Sequence, residues 1–463
     1  MSSPRSAFAA LPKLETQHFT FSNGLELLVH EDHSAPVASI QAWVKTGSIH
    51  EGRFSGGGIS HLLEHLLFKG TGRRSGNQIA QQIQDVGGYV NAYTSFDRTV
   101  YWVDLPAKGV PAGLDVLADA VFHSTLPEAE YAKEQEVIRR EFAMGFDDPD
   151  RVLGERLFST AYLAHPYRHP IIGHLDVFNA ITRNDVLDYY RRRYAPNNVF
   201  FVVAGAVDAA VVREQLEQWV GDLPRLAMEP VWIPAEPDQT TAREVHSEGP
   251  TELGRMNLAW HVPHALHPDI PSLDLLASIL GDGRSARLYR TLREQQGLVH
   301  SVGAWTYTPS EPGLFGFGAV LEPEKRAAVQ AALLEEARKV RDEGVTRAEL
   351  DKVRRMRIAG YLGGLSTARG RASDLGDSWM LCRNADFSRV YAQSLAGLET
   401  GDLQRVARQY LSSEQVTVVS LLPEGSLRKA GPVVPRVERG GSAGKPFPTG
   451  CGCCFARRRV CLW

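Results

Sequence analysis

The sequence predicts an α+β protein of two related domains, and three observations carry that reading. Length is the first: 463 residues exceed what one compact core organises. Pattern is the second: segments alternating with period two interleave with segments of helical period in both halves. The third is an internal echo. Residues 185–203 read as an Asp, a helix, a Tyr and a Val-rich strand, and residues 402–419 repeat that order. Pro230, Pro234 and Pro237 stand amid polar residues between the halves and mark a linker. The expected organisation is an N-terminal domain over 1–225, a linker over 226–245, a C-terminal domain over 246–424 and a tail over 425–463.

Taken in order, residues 18–21 and 25–30 form a hairpin about Ser22-Asn23-Gly24. Residues 37–44 alternate as a further strand. Gly56-Gly57-Gly58 lets the backbone turn tightly into an apolar helix containing Ile59, Leu62, Leu63, Leu66, Leu67 and Phe68. Ile79, Ile83 and Val86 make a helical stripe, ended by Gly87-Gly88. Residues 90–103 supply two strands around 95–98. Helices follow at 110–124, 128–144 and 185–194, then a strand at 199–203. In the second half, 256–262 is strand-like, 272–280 helical, 283–296 a loop and helix, and 301–319 strands. Helices at 326–343, 347–362 and 402–410 precede a strand at 416–419. Beyond about Leu422, Gly, Pro and Arg dominate, so the tail is expected to be disordered.

Apolar residues are 43% and charged residues 23%, with a formal net charge of −3, values of an ordinary soluble globular chain. No basic footprint for nucleic acid stands out, and no apolar run reaches bilayer-spanning length. The N-terminus lacks a convincing signal-peptide core, so the cytoplasm is the expected compartment. Of five cysteines, Cys382 alone lies in the body; Cys451, Cys453, Cys454 and Cys461 crowd the end. That distribution is not a disulfide framework, nor the paired spacing of zinc modules.

The chemistry concentrates in His61-Leu62-Leu63-Glu64-His65. On a helix, the histidines at i and i+4 are stacked neighbours able to grip one zinc ion, with Glu64 beside it as a base. The flanking residues are strongly apolar, and burying two imidazoles and a carboxylate without partners is costly; a metal ion resolves the conflict. Catalytic zinc usually takes three protein ligands and keeps one open position, which directs attention to a downstream carboxylate. On the 128–144 helix, Glu134 and Glu141 share a face. Both are also readable as solvated partners of Lys133, Arg139 or Arg140.

The segment from Gly57 to Thr71, the segment Val86-Gly87-Gly88-Tyr89-Val90-Asn91-Ala92-Tyr93-Thr94 and the His65-to-Glu141 gap together resemble the pitrilysin/insulinase family of inverted-motif zinc peptidases, particularly its mitochondrial processing peptidase branch. The similarity spans roughly residues 15 to 425. It implies two homologous α/β sandwich domains, each a mainly antiparallel sheet packed with helices, forming half of a clamshell. It implies one zinc per chain, held by His61, His65 and Glu141, with Glu134 supporting the site and Glu64 as the base that activates water for peptide hydrolysis. It implies that Asn91 and Ala92 lie on an edge strand pairing with substrate backbone; without the resemblance, Asn91 reads more readily as a turn residue. An arginine–tyrosine pair of the family corresponds to Arg293 and His300, where histidine replaces tyrosine, so a partner chain is one source of the missing group. The implied partners are a peptide substrate and a second half, as a homodimer or a heterodimer with a sister chain.

Two rival histidine clusters weigh less. His165, His169 and His174 are interrupted by Pro166 and Pro170, and His261, His264 and His267 by Pro263 and Pro268. Two other functions stay in view: a non-catalytic interaction subunit on the same fold, and a processing peptidase for one precursor.

Overall fold

The computed structural model of the chain describes residues 11–429; residues 430–463, with the cysteine-rich end of the expected tail, lie outside the described residues. One sheet contains β1 (Gln17–Thr20), β2 (Glu26–Glu31), β3 (Val37–Val44), β4 (Tyr89–Thr94), β5 (Thr99–Pro106) and β6 (Val199–Gly205), in spatial order β1-β2-β6-β3-β5-β4. The other contains β7 (Arg243–Gly249), β8 (Gly254–Val262), β9 (Val299–Tyr307), β10 (Gly313–Leu321) and β11 (Thr417–Pro423), in order β7-β11-β8-β10-β9. Without β1 the two arrangements are the same. The β2–β6 and β7–β11 pairs are parallel. All other neighbours run antiparallel.

The helices repeat as well. The first half carries α1 (Ile59–Leu67), α2 (Gly76–Asp85), α3 (Val110–His123), α4 (Glu128–Phe146), α5 (Pro149–Ala161), α6 (Leu175–Ala180), α7 (Arg183–Arg193) and α8 (Ala209–Val220). The second carries α9 (Ile270–Gly281), α10 (Arg326–Glu343), α11 (Arg347–Gly364), α12 (Ala368–Cys382), α13 (Phe387–Ser394), α14 (Thr400–Tyr410) and α15 (Ser426–Lys429), with a π-helical turn at Tyr289–Gln295. No described helix is long and apolar enough to cross a membrane.

Each sheet buries one face under helices of its own half, as separate cores around Ile40 and Leu117 and around Leu258 and Leu276. The opposite faces are covered by exchange. Helix α5 crosses to pack on β8 and β11, burying Leu153 and Leu157 against Ala259, Val419 and Leu421. Helix α12 returns to cover β3 and β6, burying Ala372, Leu375 and Trp379 against Trp43, Phe200 and Val202. A small residue sets the approach of α12: a Cβ at Gly376 would lie 2.1 Å from Trp43. Charges fix its length to the first sheet. Arg369 pairs with Asp104, Arg371 with Asp32 and Arg383 with Glu26, and Arg98 meets Asp377 at 2.9 Å.

A single cut in the sequence would therefore divide the packing on these opposite faces. The expected linker is also more ordered at its end than its composition implies. Strand β7 starts at Arg243, inside the 226–245 interval, because its residues pair in register with β11. Before it, the Glu236 carboxylate accepts the backbone N–H groups of Leu163, Ala164 and His165 at 2.8–3.0 Å. The interval expected for the tail likewise begins with a helical turn, α15.

Candidate metal centre

Helix α1 begins where the chain makes a conformation only glycine tolerates. Gly58 has φ +71°, and a Cβ there would sit 2.0 Å from the Ile172 carbonyl oxygen. The approach is sealed by His174 N–H donating to the Gly56 carbonyl at 2.7 Å. Beneath this entry lies a buried acid that pattern reading passed over. Glu51 accepts N–H bonds from Ser60 at 3.0 Å and Gly58 at 3.2 Å, satisfying donors that a helix start leaves open. Its burial outweighs those bonds and pushes its carboxyl up to about 8. No spacing rule marks Glu51; only the need to satisfy a buried helix start could have pointed to it.

Leu62, Leu63, Leu66 and Leu67 are buried on α1 and set its rotation. That rotation turns His61, Glu64 and His65 toward α4 and β4. The imidazoles of His61 and His65 meet edge to face with centroids 4.7 Å apart. Glu141 comes from α4, which packs along α1. Its two oxygens lie 3.7 Å from His61 Nε2 and 3.7 Å from His65 Nε2. One donor atom from each of the three side chains falls within 4.8 Å of the others, the one such trio among the described residues.

Glu134, two turns earlier on the same face of α4, takes the other nitrogen of His65: its Oε2 is 3.1 Å from Nδ1. Lys69, unremarked in the sequence, holds the second Glu134 oxygen at 2.6 Å. Burial, then His65 and Arg151, push the His61 imidazole down to about 3, so it stays neutral. Glu64 is drawn upward by burial and accepts a hydrogen bond from Thr94 Oγ1 at 2.6 Å.

These residues fit a zinc ion. Two donors each about 2.1 Å from zinc stand at most about 4.2 Å apart, and both histidine–Glu141 separations of 3.7 Å meet that limit. Both imidazoles present Nε2 to the cluster, and the buried His61 Nδ1 has no hydrogen-bond partner.

The remaining candidates lie apart. Asn91 and Ala92 are on β4, the last strand of its sheet. Asn91 points outward and donates to Tyr89 OH at 2.7 Å, while Ala92 packs inward on the core. Arg293 lies over the Tyr289 ring and bonds its hydroxyl at 3.0 Å. His300 pairs with Glu322 at 2.9 Å. Among the described residues, no hydrogen bond or ion pair joins either of them to the trio or to the other. Among the rival histidines, His165 accepts the Tyr167 N–H, His169 and His174 bond one another, and His261 bonds the Ala161 carbonyl.

Residues 27–174 match the insulinase family (peptidase family M16), and residues 180–357 match the peptidase M16 inactive domain. The zinc protease PqqE of Helicobacter pylori is 30% identical over 420 residues, 89% of this chain and 94% of that one. A probable mitochondrial-processing peptidase subunit beta of Arabidopsis thaliana is 26% identical over 423 residues, 88% of this chain and 78% of that one. Among solved structures, a protease from Helicobacter pylori superposes with TM-score 0.83 at 29% identity, covering 89% of this chain and all of that one. The periplasmic protease PqqL of Escherichia coli has the same fold, with TM-score 0.76 at 19% identity; 91% of this chain covers 49% of it. The chain belongs to the insulinase family of peptidases, M16.

Proposed function

We propose that this chain is a zinc-dependent endopeptidase acting on peptides or unfolded segments, with one zinc held by His61, His65 and Glu141. The observation that carries the proposal is the convergence of Glu141 on the two imidazoles from 76 residues beyond His65. Bound zinc supplies Lewis acidity toward a water and a scissile carbonyl. Glu64 takes the proton from the attacking water and hands it to the departing amine as the C–N bond breaks. Glu134 holds His65 Nδ1 and so aims Nε2.

The free edge of β4, with Asn91 and Ala92, is where an extended peptide adds a strand through main-chain hydrogen bonds. The length of PqqL relative to this chain supports a second half, self or sister, completing an enclosure. Arg293 and His300 would then face substrate across that enclosure. Cytoplasmic location is part of the proposal, in keeping with a sequence body whose one cysteine, Cys382, offers no disulfide framework. A non-catalytic role fits less well, because the histidines, Glu141 and Glu64 are all present.

Metal analysis of the purified chain, run beside digestion of a mixed peptide pool, tests the reading. One zinc per chain and cleavage abolished by a chelator are expected. Cleavage indifferent to the chelator, or no zinc bound, overturns it.

A further inference from the structure

Glu64 sits mid-helix on α1. Its side chain is half-buried, and its hydrogen-bond partner among the described residues is a single side chain, Thr94. Thr94 Oγ1 donates to Glu64 Oε2 at 2.6 Å, the length of a charge-assisted bond. The backbone amide of Thr94 acts on the carboxylate in the same sense. One oxygen is thereby tied to β4, on a carboxylate close enough to His65 and Glu141 to feel the charge of both.

Thr94 is itself well placed to do this. It closes β4 opposite Thr99, and Thr99 Oγ1 is anchored to the Thr46 carbonyl at 3.0 Å. Along β4, exposure alternates, so Val90, Ala92 and Thr94 share the inner face. A β-branched side chain at a strand end has few rotamers, so its hydroxyl is held rather than searching.

The second domain offers the bland version of the same contact. Thr306 of β9 donates to Asp274 of α9, and the other Asp274 oxygen accepts Tyr391 OH. There both carboxylate oxygens are occupied, and the contact does no more than tie helix to strand. At Glu64 one oxygen alone is tied.

We infer that Thr94 is a positioning residue that orients the Glu64 carboxylate toward the three-donor cluster. The inference takes Glu64's task from the peptidase reading. Its consequence is a kinetic split: without the hydroxyl, substrate and zinc still bind, but the base is misaimed.

Two variants of the full chain test it, Thr94→Val, which keeps shape and removes the donor, and Thr94→Ser, which keeps the donor. For Thr94→Val we expect wild-type zinc content, an unshifted melting temperature, KM within about twofold and kcat reduced about 10- to 100-fold, the scale of a small misplacement. Thr94→Ser should restore kcat to within about threefold of wild type. A second readout needs no turnover: crystal structures of zinc-free wild type and Thr94→Val should differ in the Glu64 side-chain torsions. An unmoved Glu64, an unchanged kcat, a rise in KM alone, or equal damage in both variants overturns the inference. If the wild type cleaves no peptide, the peptidase reading fails, and the two crystal structures still decide whether Thr94 orients Glu64.

Discussion

Helices α1 and α9 follow corresponding strands of the two sheets, β3 and β8, yet of the two only α1 carries metal-donor side chains. Helix α9 reads Ile270-Pro271-Ser272-Leu273-Asp274-Leu275-Leu276-Ala277-Ser278-Ile279-Leu280-Gly281, with no histidine and one acid. That acid is fully engaged by Thr306 and Tyr391. The helix is otherwise buried, with Leu273, Leu276 and Leu280 at 0% exposure. In α1 the apolar residues fill one side, and the other side is given to His61, Glu64 and His65. The same architecture thus supports a packing element in one domain and a three-donor cluster in the other. Function here belongs to side chains placed on the scaffold, not to the scaffold.

The hardest blow to this contrast would come from matched substitutions at Glu64 and Asp274. Glu64→Gln should retain zinc and lower kcat by about 10²–10⁴, the usual worth of a general base. Asp274→Asn should keep kcat within about twofold while costing about 1–3 kcal/mol of stability, through a weakened buried hydrogen-bond group. Peptide kinetics with metal analysis and denaturant unfolding reads both. A comparable loss of turnover in the two variants would dissolve the distinction.

Much of this contrast was legible in the sequence. His61, Glu64 and His65 declare themselves by spacing, and period marked most of the strands and long helices. Glu141 and Glu134 were legible as a shared helix face, but choosing between them took the family resemblance. In space the difference is direct: Glu141 reaches both Nε2 atoms, while Glu134 reaches His65 Nδ1. What did not show was anything whose meaning depends on a distant partner. Helix α12 has a broken stripe of Ala372, Leu375, Gly376 and Trp379, which makes sense only against Trp43 and Phe200 of the other sheet. Strand β7, Arg-Glu-Val-His-Ser-Glu-Gly, has little apolar alternation because it is an edge strand. Glu51 and Lys69 carry no mark in spacing or period, and their roles follow only from their partners.

The reciprocal helices sharpen the comparison from the packing side. Leu157 of α5 and Leu375 of α12 are both buried on the opposite half's sheet, at 1% and 0% exposure. Leu157→Ala and Leu375→Ala should each cost about 2–5 kcal/mol, the range for deleting a buried leucine. If the halves unfold as one cooperative unit, each variant lowers a single transition, read by calorimetry. Two resolved transitions, with each variant moving one, would mean that the exchanged helices do not couple the domains.

A smaller effect separates ligands from the residue that supports them. Glu134→Ala leaves His61, His65 and Glu141 in place but frees His65 Nδ1 and Lys69. Zinc affinity should weaken about 10- to 100-fold, the usual effect of losing such a support, whereas Glu141→Ala should remove stoichiometric binding. Competition with a chromophoric chelator measures both. Equal affinities for wild type and Glu134→Ala would make that carboxylate a helix-surface partner of Lys69 and nothing more.

The smallest expected effect concerns how the two helices begin. Asp269 precedes α9 and is buried, which raises its carboxyl, but Arg405 and Tyr410 outweigh burial and hold it below its ordinary value. Glu51 under α1 has backbone N–H groups and no cation, and burial lifts it to about 8. The signs therefore oppose. Between about 4.5 and 8 the folded chain keeps a proton on Glu51 that the unfolded chain releases, so this group's contribution falls as pH rises through that window. Asp269 contributes stability above its unfolded value, lost as pH falls through its depressed folded one. His50, pushed down by burial to about 4, adds stability that is complete above its unfolded value near 6.5 and drains away toward pH 4. Glu51→Gln removes the first of these and leaves the others. In zinc-free protein, the melting temperature of Glu51→Gln relative to wild type should therefore climb steadily from pH 5 to pH 8. A gap that stays flat across that interval would mean the acid under α1 is ionised in the folded chain, with the helix-start N–H groups outweighing its burial.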